Sequence, residues 1–488
     1  MNEQEAACEA AVPAPPVEVY SALARPLPLP TWRVVFMLAL PVLAQQGLYF
    51  TVNLSDLYLA AHVPTEHRDA VLSARTTAHY VTWFITCYNV LVTVGSTALV
   101  ARFVGAGDSK GAVEVTHQSL LLACAMAAVA SVIGLSGGLR ILVEMLHLDG
   151  PAADYAVAYL QPIFVLLVFQ IVEVAGIACL VGAGDTRTGL WVMVGVALVN
   201  IPLAWGFGWG LGPLPRLGFV GIAVGTALSH TLGGTVVLWR LARGQFGLQL
   251  RPELFRPRFD LLRRLLRVSV PAAFDSLSVV VGQFWFLGIV NNLGPRASAA
   301  HGIALVWEAL GYLSGAAFAT AAMTLVGQNL GAGRPDQAAK GGWMAFALGC
   351  GVMSLMGLIF YLLAPQMFAI FCPEPGDAPI IALGVPALQL VAFAMPALAS
   401  TIIFTYALRG AGDTRVPVLF TWIGFFVVRI PLAYFLTAAE VSLGPLGIVP
   451  GLGLGLIGAW WAMLADIVVR GAFFSWRFAH GAWKRQKV

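Results

Sequence analysis

The hexapeptide Gly182–Arg187, GAGDTR, returns unchanged at Gly410–Arg415, 228 positions later. Around it lies a chain of 488 residues that is 59% hydrophobic and 11% charged, with a mean hydropathy of +0.82. A soluble domain carries about a quarter charged residues, so this chain cannot cover itself with polar surface in water. A bilayer is its expected solvent.

Other segments repeat at nearly the same distance. LALPVLAQQ places Pro41 where VSVPAAFDS places Pro271, and ARFVGAGDSKGA matches GQNLGAGRPDQA. NIPLAW at Asn200 matches RIPLAY at Arg429. A common offset over such length means duplication. With about 20 apolar residues needed per crossing, twelve spans emerge: 32–59, 78–102, 117–137, 154–179, 188–211, 219–242, 264–291, 300–326, 342–364, 380–408, 416–437 and 455–476. The expected fold is an all-α integral membrane protein of two homologous six-helix lobes. An even number of spans per half makes the lobes parallel repeats, related by an axis along the membrane normal. The divisions are a disordered tail at 1–31, an N-lobe at 32–245, a basic linker at 246–262, a C-lobe at 263–478 and a tail at 479–488.

Basic residues set the orientation. The central connection carries Arg240, Arg243, Arg251, Arg256, Arg258, Arg263, Arg264 and Arg267, and the C-terminus adds Lys484, Arg485 and Lys487. Shorter connections on that side hold Arg102, Lys110, Arg187, Arg334, Lys340, Arg409 and Arg415. The positive-inside rule puts this side and both termini in the cytosol of a cell (inner) membrane. The arginines then have a topological or lipid-headgroup role, and nucleic acid is not an expected partner. The N-terminal residues, acidic and proline-rich, lack the pattern of a cleavable leader. The cysteines form no metal-ligand spacing, so neither a metal nor a cofactor is expected.

In GAGDTR, Gly182 and Gly184, like Gly410 and Gly412, suit a left-handed helix end and a tight reversal. Asp185 and Asp413 are placed to cap the helix that follows, while Arg187 and Arg415 reach the headgroups. A phosphate loop is disfavoured: the Lys-Ser/Thr pair is missing and no strand precedes. Pro41 and Pro271 lie inside apolar helices, where each removes a hydrogen bond and bends the chain, either statically or as a moving hinge.

These features together resemble the multidrug and toxic compound extrusion (MATE) family. The resemblance rests on Pro41 with Asp56 fifteen residues on, AAHGIALVWE, VGQNLGAG, RGAGDTR, RIPLAY and the duplicated layout, and spans Trp32 to Arg477. It implies efflux of organic, often cationic or amphipathic compounds by antiport with H+ or Na+, between two rocking lobes, by a protein taken to act as a monomer.

Charges retained in the bilayer cost about 2.5–3.5 kcal/mol each and call for explanation. Asp56 matches the family's N-lobe acid; its alternatives are proton coupling and a carboxylate at headgroup level. Asn200 matches the family's span-5 asparagine, but Ala204 stands where an acid often follows, which weakens a Na+ cage and favours H+. Asp275 lies one turn before Val279, where many relatives have a carboxylate; it serves the cavity or a structural role. Glu308 is a second C-lobe acid, and Arg429 is a candidate to neutralise one of the two. The family's span-10 cation pair is replaced by Ala394 and Leu398. Glu173 is either a cavity carboxylate or satisfied by a neighbouring helix, and His301 either titrates or is a bonded interface residue. Asp466 and Arg470 pair with each other. Trp285 and Trp307 are candidates to line the cavity. A flippase for a lipid-linked or amphiphilic substrate is the alternative within transport, and it would want a strongly basic cavity. No enzyme motif such as HExxH or GxSxG is found, and scattered single acids do not make a symmetric channel filter.

Overall fold

The computed structural model describes residues 27–63, 67–146, 148–442 and 448–486. Twelve membrane-crossing segments run through them: α1 Trp32–His62, α2 Arg68–Gly105, α3 Ser109–Met145, α4 Gly150–Val165 with Leu167–Ala183, α5 Arg187–Trp209, α6 Phe219–Ala242, α7 Phe259–Asn291, α8 Pro295–Gly331, α9 Pro335–Ala369, α10 Ala378–Gly410, α11 Arg415–Thr437 and α12 Leu456–His480. Every sequence-derived span falls on one of them. Most of the observed helices run longer, because polar ends outside the apolar window stay helical: α2 has 38 residues, about 57 Å at 1.5 Å per residue. A two-stranded antiparallel hairpin, Glu440–Ser442 with Ile448–Pro450, joins α11 to α12.

Three spans are irregular. α4 bends by 57° at Leu166, one turn after Pro162, the expected effect of a proline inside a helix. α3 passes through a π turn at Gly134–Gly138, where Gly137 has φ 107°. α11 holds another at Ile423–Arg429, an insertion that re-aims the side chains around it.

The core divides into two large clusters that cross the lobe boundaries drawn from sequence. Val34, Val35, Leu38 and Ala39 of α1 pack with α8–α12, with Phe36 edge-on to Phe318 at 5.7 Å. Beyond Pro41 the same helix joins the other cluster, through Val52, Leu59 and Ala60. α7 does the converse: Leu261 and Leu265 pack with α2–α6, whereas Phe286, Ile289 and Val290 lie with α8–α12. Each leading helix thus begins in the opposite lobe, and Pro41 and Pro271 lie between the two memberships. A proline leaves one backbone carbonyl unbonded, so these are the positions where the helix bends most cheaply.

Both described chain ends and the Arg-rich connection lie on one face, the basic face. Here four Gly-Ala-Gly turns end α2, α4, α8 and α10, and their glycines divide the work. The second of each, Gly107, Gly184, Gly333 and Gly412, has φ between 68° and 99°, a left-handed turn that a Cβ would strain. The first allows backbone contact. A Cβ on Gly105 would strike the backbone of Gln328, and one on Gly331 the backbone of Arg102, a reciprocal pair across the lobes. Gly182 lies against the Thr97 carbonyl (2.7 Å to an added Cβ) and Gly410 against that of Met323.

Side chains then tie each lobe to the other's repeat. Gln328 donates to the Gly182 carbonyl at 2.9 Å and Thr324 to that of Val181 at 3.1 Å; Arg102 donates to the Ala411 carbonyl at 3.0 Å. The expected N-terminal tail lies outside the described residues as far as residue 26. Leu27 docks on the seam, its amide donating to Gln328 Oε1 at 2.9 Å. Residues 479–486 are not a free tail either: Trp483 is fully buried, stacked on Phe478 at 4.7 Å. The basic linker also docks, with its Arg251 amide on His117 Nε2 and its Arg258 amide on Gln118 Oε1.

Gly105→Ala should therefore destabilise the closed seam by about 1–3 kcal/mol, the usual cost of overpacking. In a background without other cysteines, a cysteine placed at Gln328 should then react faster with a water-soluble thiol reagent. Unchanged reactivity would show that the glycine contact does not hold the basic face shut.

Candidate functional site

Away from the two faces, the buried charges fall into three groups. The first lies in the N-lobe. Asp56 of α1 is 4% exposed and Asn200 of α5 is fully buried. Thr226 of α6, which sequence reasoning missed, joins them. Its hydroxyl accepts from Asn200 Nδ2 at 3.0 Å and lies 3.1 Å from Asp56 Oδ2, with the Ile222 carbonyl a competing acceptor at 3.1 Å. Among the described residues, Asp56 Oδ1 and Asn200 Oδ1 have no hydrogen-bond partner. Arg75 of α2, also buried, supplies the positive charge acting on Asp56, and its guanidinium lies 5.9 Å from the Tyr159 ring. The sequence reading placed Arg75 outside span 2; only the full length of α2 brings it into the lobe.

One turn further along α6, His230 Nδ1 lies 2.9 Å from Glu173 Oε2 of α4. Of the two readings of Glu173, the one satisfied by a neighbouring helix matches this geometry. The histidine was missed because a lone His in an apolar helix carries no spacing signal.

The second group joins α7 to α10. Asp275 does not stand free in a cavity: Arg409 Nη2 donates to its Oδ2 at 2.7 Å, with both side chains buried. Arg409 had been assigned to a solvent-facing connection, yet it is 5% exposed and lies 5.2 Å from the Tyr406 ring. Helix α10 simply reaches further than its apolar window.

In the third group, within the C-lobe, Arg470 pairs with Asp466 as expected, at 2.6 Å, but Arg429 shares the same carboxylate at 2.7 Å. Arg429 therefore does not bond Glu308. It donates instead to Asp466 and to Gln283 at 3.1 Å, and acts on half-buried Glu308 only through space. The Phe425 ring lies against both guanidiniums, 4.3 Å from Arg429 and 4.8 Å from Arg470. The π turn of α11 carries both Phe425 and Arg429 into this arrangement.

The remaining candidates separate. His301 is 2% exposed, between the rings of Phe286 and Trp460, a core position. Trp285 is half-exposed and donates to the Tyr434 hydroxyl at 3.2 Å. Trp307 meets Phe371 edge-on at 5.7 Å. Asp185 caps α5, accepting from the amides of Arg187 and Thr188 at 3.0 Å. Its repeat partner Asp413 does not cap: it accepts from Arg477 of α12 at 2.7 Å, whereas Arg240, at the matching place in α6, donates to Gln245 instead. Arg187 and Arg415 are exposed on the basic face.

Counting charge group by group separates the lobes. Asp275, Glu308 and Asp466 are matched by Arg409, Arg429 and Arg470. In the N-lobe, away from the basic face, two buried acids, Asp56 and Glu173, stand against one buried arginine, Arg75, among the described residues. Asp466→Asn would leave two buried guanidiniums without a carboxylate, and a broken buried pair costs about 3–5 kcal/mol. Thermal unfolding in detergent should show a large loss for Asp466→Asn and little for Asp56→Asn, which removes a charge already in excess. Equal losses would contradict this division.

Known proteins share this duplicated layout. The MatE family model matches residues 41–205 and 271–435, one copy per lobe. A probable multidrug resistance protein NorM of Thermotoga maritima is 28% identical over 457 residues, 92% of this chain and 93% of its own. A multidrug resistance protein NorM of Burkholderia vietnamiensis is 31% identical over 305 residues, 62% of this chain and 63% of its own. The outward-facing structure of a multidrug resistance MATE transporter of the MOP superfamily superposes with a TM-score of 0.84 at 20% identity, covering 96% and 99% of the two chains. With two copies of the family's repeat in twelve membrane-crossing helices, the chain belongs to the MatE family of multidrug and toxic compound extrusion transporters.

Proposed function

We propose that this transporter exports organic, cationic or amphipathic compounds by antiport with H+, and that the N-lobe carries the coupling. The basic face and both chain ends then lie on the cytosolic side of the cell membrane, a reading that the distribution of Lys and Arg supports. The observation that carries the reading is the N-lobe's charge: two buried acids against one arginine, with one Asp56 oxygen unpartnered.

The hydrogen bonds around Thr226 supply a chemical basis. When Asp56 is ionised, the Thr226 hydroxyl donates to it. When Asp56 is protonated it becomes the donor, and the threonine turns its own proton to the Ile222 carbonyl. The contact between Asp56 Oδ2 and Thr226 is kept in both states, so protonation breaks no hydrogen bond. The same site is poor for Na+. It offers few oxygens, Ala204 adds none, and Arg75 already supplies a positive charge.

Transport follows by alternating access. The basic-face seam opens when Gly105 and Gly331 part from the opposite lobe, and α1 and α7 accommodate the motion at Pro41 and Pro271. Arg409, Arg429 and Arg470 are each paired with a carboxylate and Arg75 stands apart from them, so the described residues hold no free guanidinium cluster for lipid-linked phosphates, which favours the antiporter over the flippase. In proteoliposomes, a lumen-acid gradient should drive uptake of ethidium and an imposed Na+ gradient should not. Asp56→Asn should lower the ΔpH-driven rate roughly tenfold or more. Uptake that ignores both gradients would end the antiport reading; full activity in Asp56→Asn would remove Asp56 from it.

A further inference from the structure

We infer that Glu173 and His230 form a second proton-binding site in the N-lobe, one helical turn from the Asp56–Thr226 pair towards the basic face. Its part in transport rests on the H+-antiport reading; its ability to hold a proton does not.

The pair is built, not incidental. Glu173 is 4% exposed, and its only hydrogen-bond partner among the described residues is His230. Gly233, one turn beyond His230, leaves the space the carboxylate fills: an added Cβ would lie 2.6 Å from Oε2 and 2.7 Å from Cδ. Thr226, His230 and Gly233 follow at helical spacing along one side of α6. The charged groups facing the imidazole are both acids, Glu173 from α4 and Asp56 from α1. Arg75 of α2 acts on Asp56, and α5 contributes no charged side chain beyond Arg187 at the basic face.

The chemistry follows from that surrounding. An ionised Glu173 beside a neutral imidazole leaves an unbalanced negative charge in the bilayer, which is costly. One added proton removes it, whether held as imidazolium with carboxylate or as imidazole with carboxylic acid, and the 2.9 Å contact is a hydrogen bond in both. Histidine is the side chain whose charge changes near neutral pH. The two sites lie about 6 Å apart along α6, at 1.5 Å per residue. Their acids stand on different helices, α1 and α4, and both contacts share α6, so a movement of α6 relative to the two helices changes both sites together.

Infrared pH-difference spectroscopy on the full chain in lipid nanodiscs reads the site without any substrate. Between about pH 5 and 8, wild type should show carboxylic acid and imidazole signals together. Glu173→Gln should remove the carboxyl component that Asp56→Asn leaves in place. His230→Gln, which keeps an amide donor for Glu173 and so guards against a folding defect, should move that component by at least about one pH unit. In proteoliposomes, each of the two variants should lower ΔpH-driven ethidium uptake roughly tenfold. A Glu173→Gln spectrum identical to wild type overturns this site while leaving the antiport reading standing. If the pair titrates but wild-type transport ignores ΔpH, the proton site stands and the antiport reading falls.

Discussion

An ionised side chain inside a bilayer must find its counter-charge within the protein, and that requirement sorts the buried residues of this chain. In the C-lobe and at the α7–α10 contact the requirement is met by arginine: Asp466 holds Arg429 and Arg470, and Asp275 holds Arg409. In the N-lobe the arginine count is one short, and the acids there sit beside groups able to share a proton, a threonine and a histidine. Two lobes that arose from one repeat have therefore diverged in electrostatics while keeping the same helices.

Their shared inheritance is mechanical. The Gly-Ala-Gly turns end four helices in the same way, and the contact of Gly105 with residue 328 has its mirror in that of Gly331 with residue 102. The repeat brings equivalent residues together at the pseudo-two-fold axis, where close approach needs glycine. The same symmetry explains why α1 and α7 both start in the opposite lobe and change allegiance about a proline. A closed basic face and a bendable pair of leading helices are two consequences of one duplication.

Much of this was legible in the sequence. Twelve apolar windows, the paired prolines and the twin GAGDTR segments sufficed for the architecture, because hydropathy and repetition are local or periodic signals. The function of the hexapeptide was only half visible: its glycines and Asp185 behave as turn and cap, but its carbonyls also receive hydrogen bonds from the opposite lobe. Nothing in its six residues encodes those donors. Arg75 and Arg409 were misplaced because polar ends of long helices fall outside apolar windows. Thr226 and His230 were missed because each belongs to its cluster only through helices far apart in sequence. Asp413 departs from Asp185 for a similar reason, since its partner Arg477 lies 64 residues on.

The central claim is that the N-lobe's missing counter-charge links protonation to the seam on the basic face. Spin labels at the exposed positions 187 and 415, the twin arginines that close the two hexapeptides, report directly on that seam. Pulsed dipolar spectroscopy in nanodiscs should show their distance distribution changing with pH in the wild-type background and not when Asp56 and Glu173 are both neutralised. A distribution that ignores pH, or one that responds equally without the two N-lobe acids, would contradict the account.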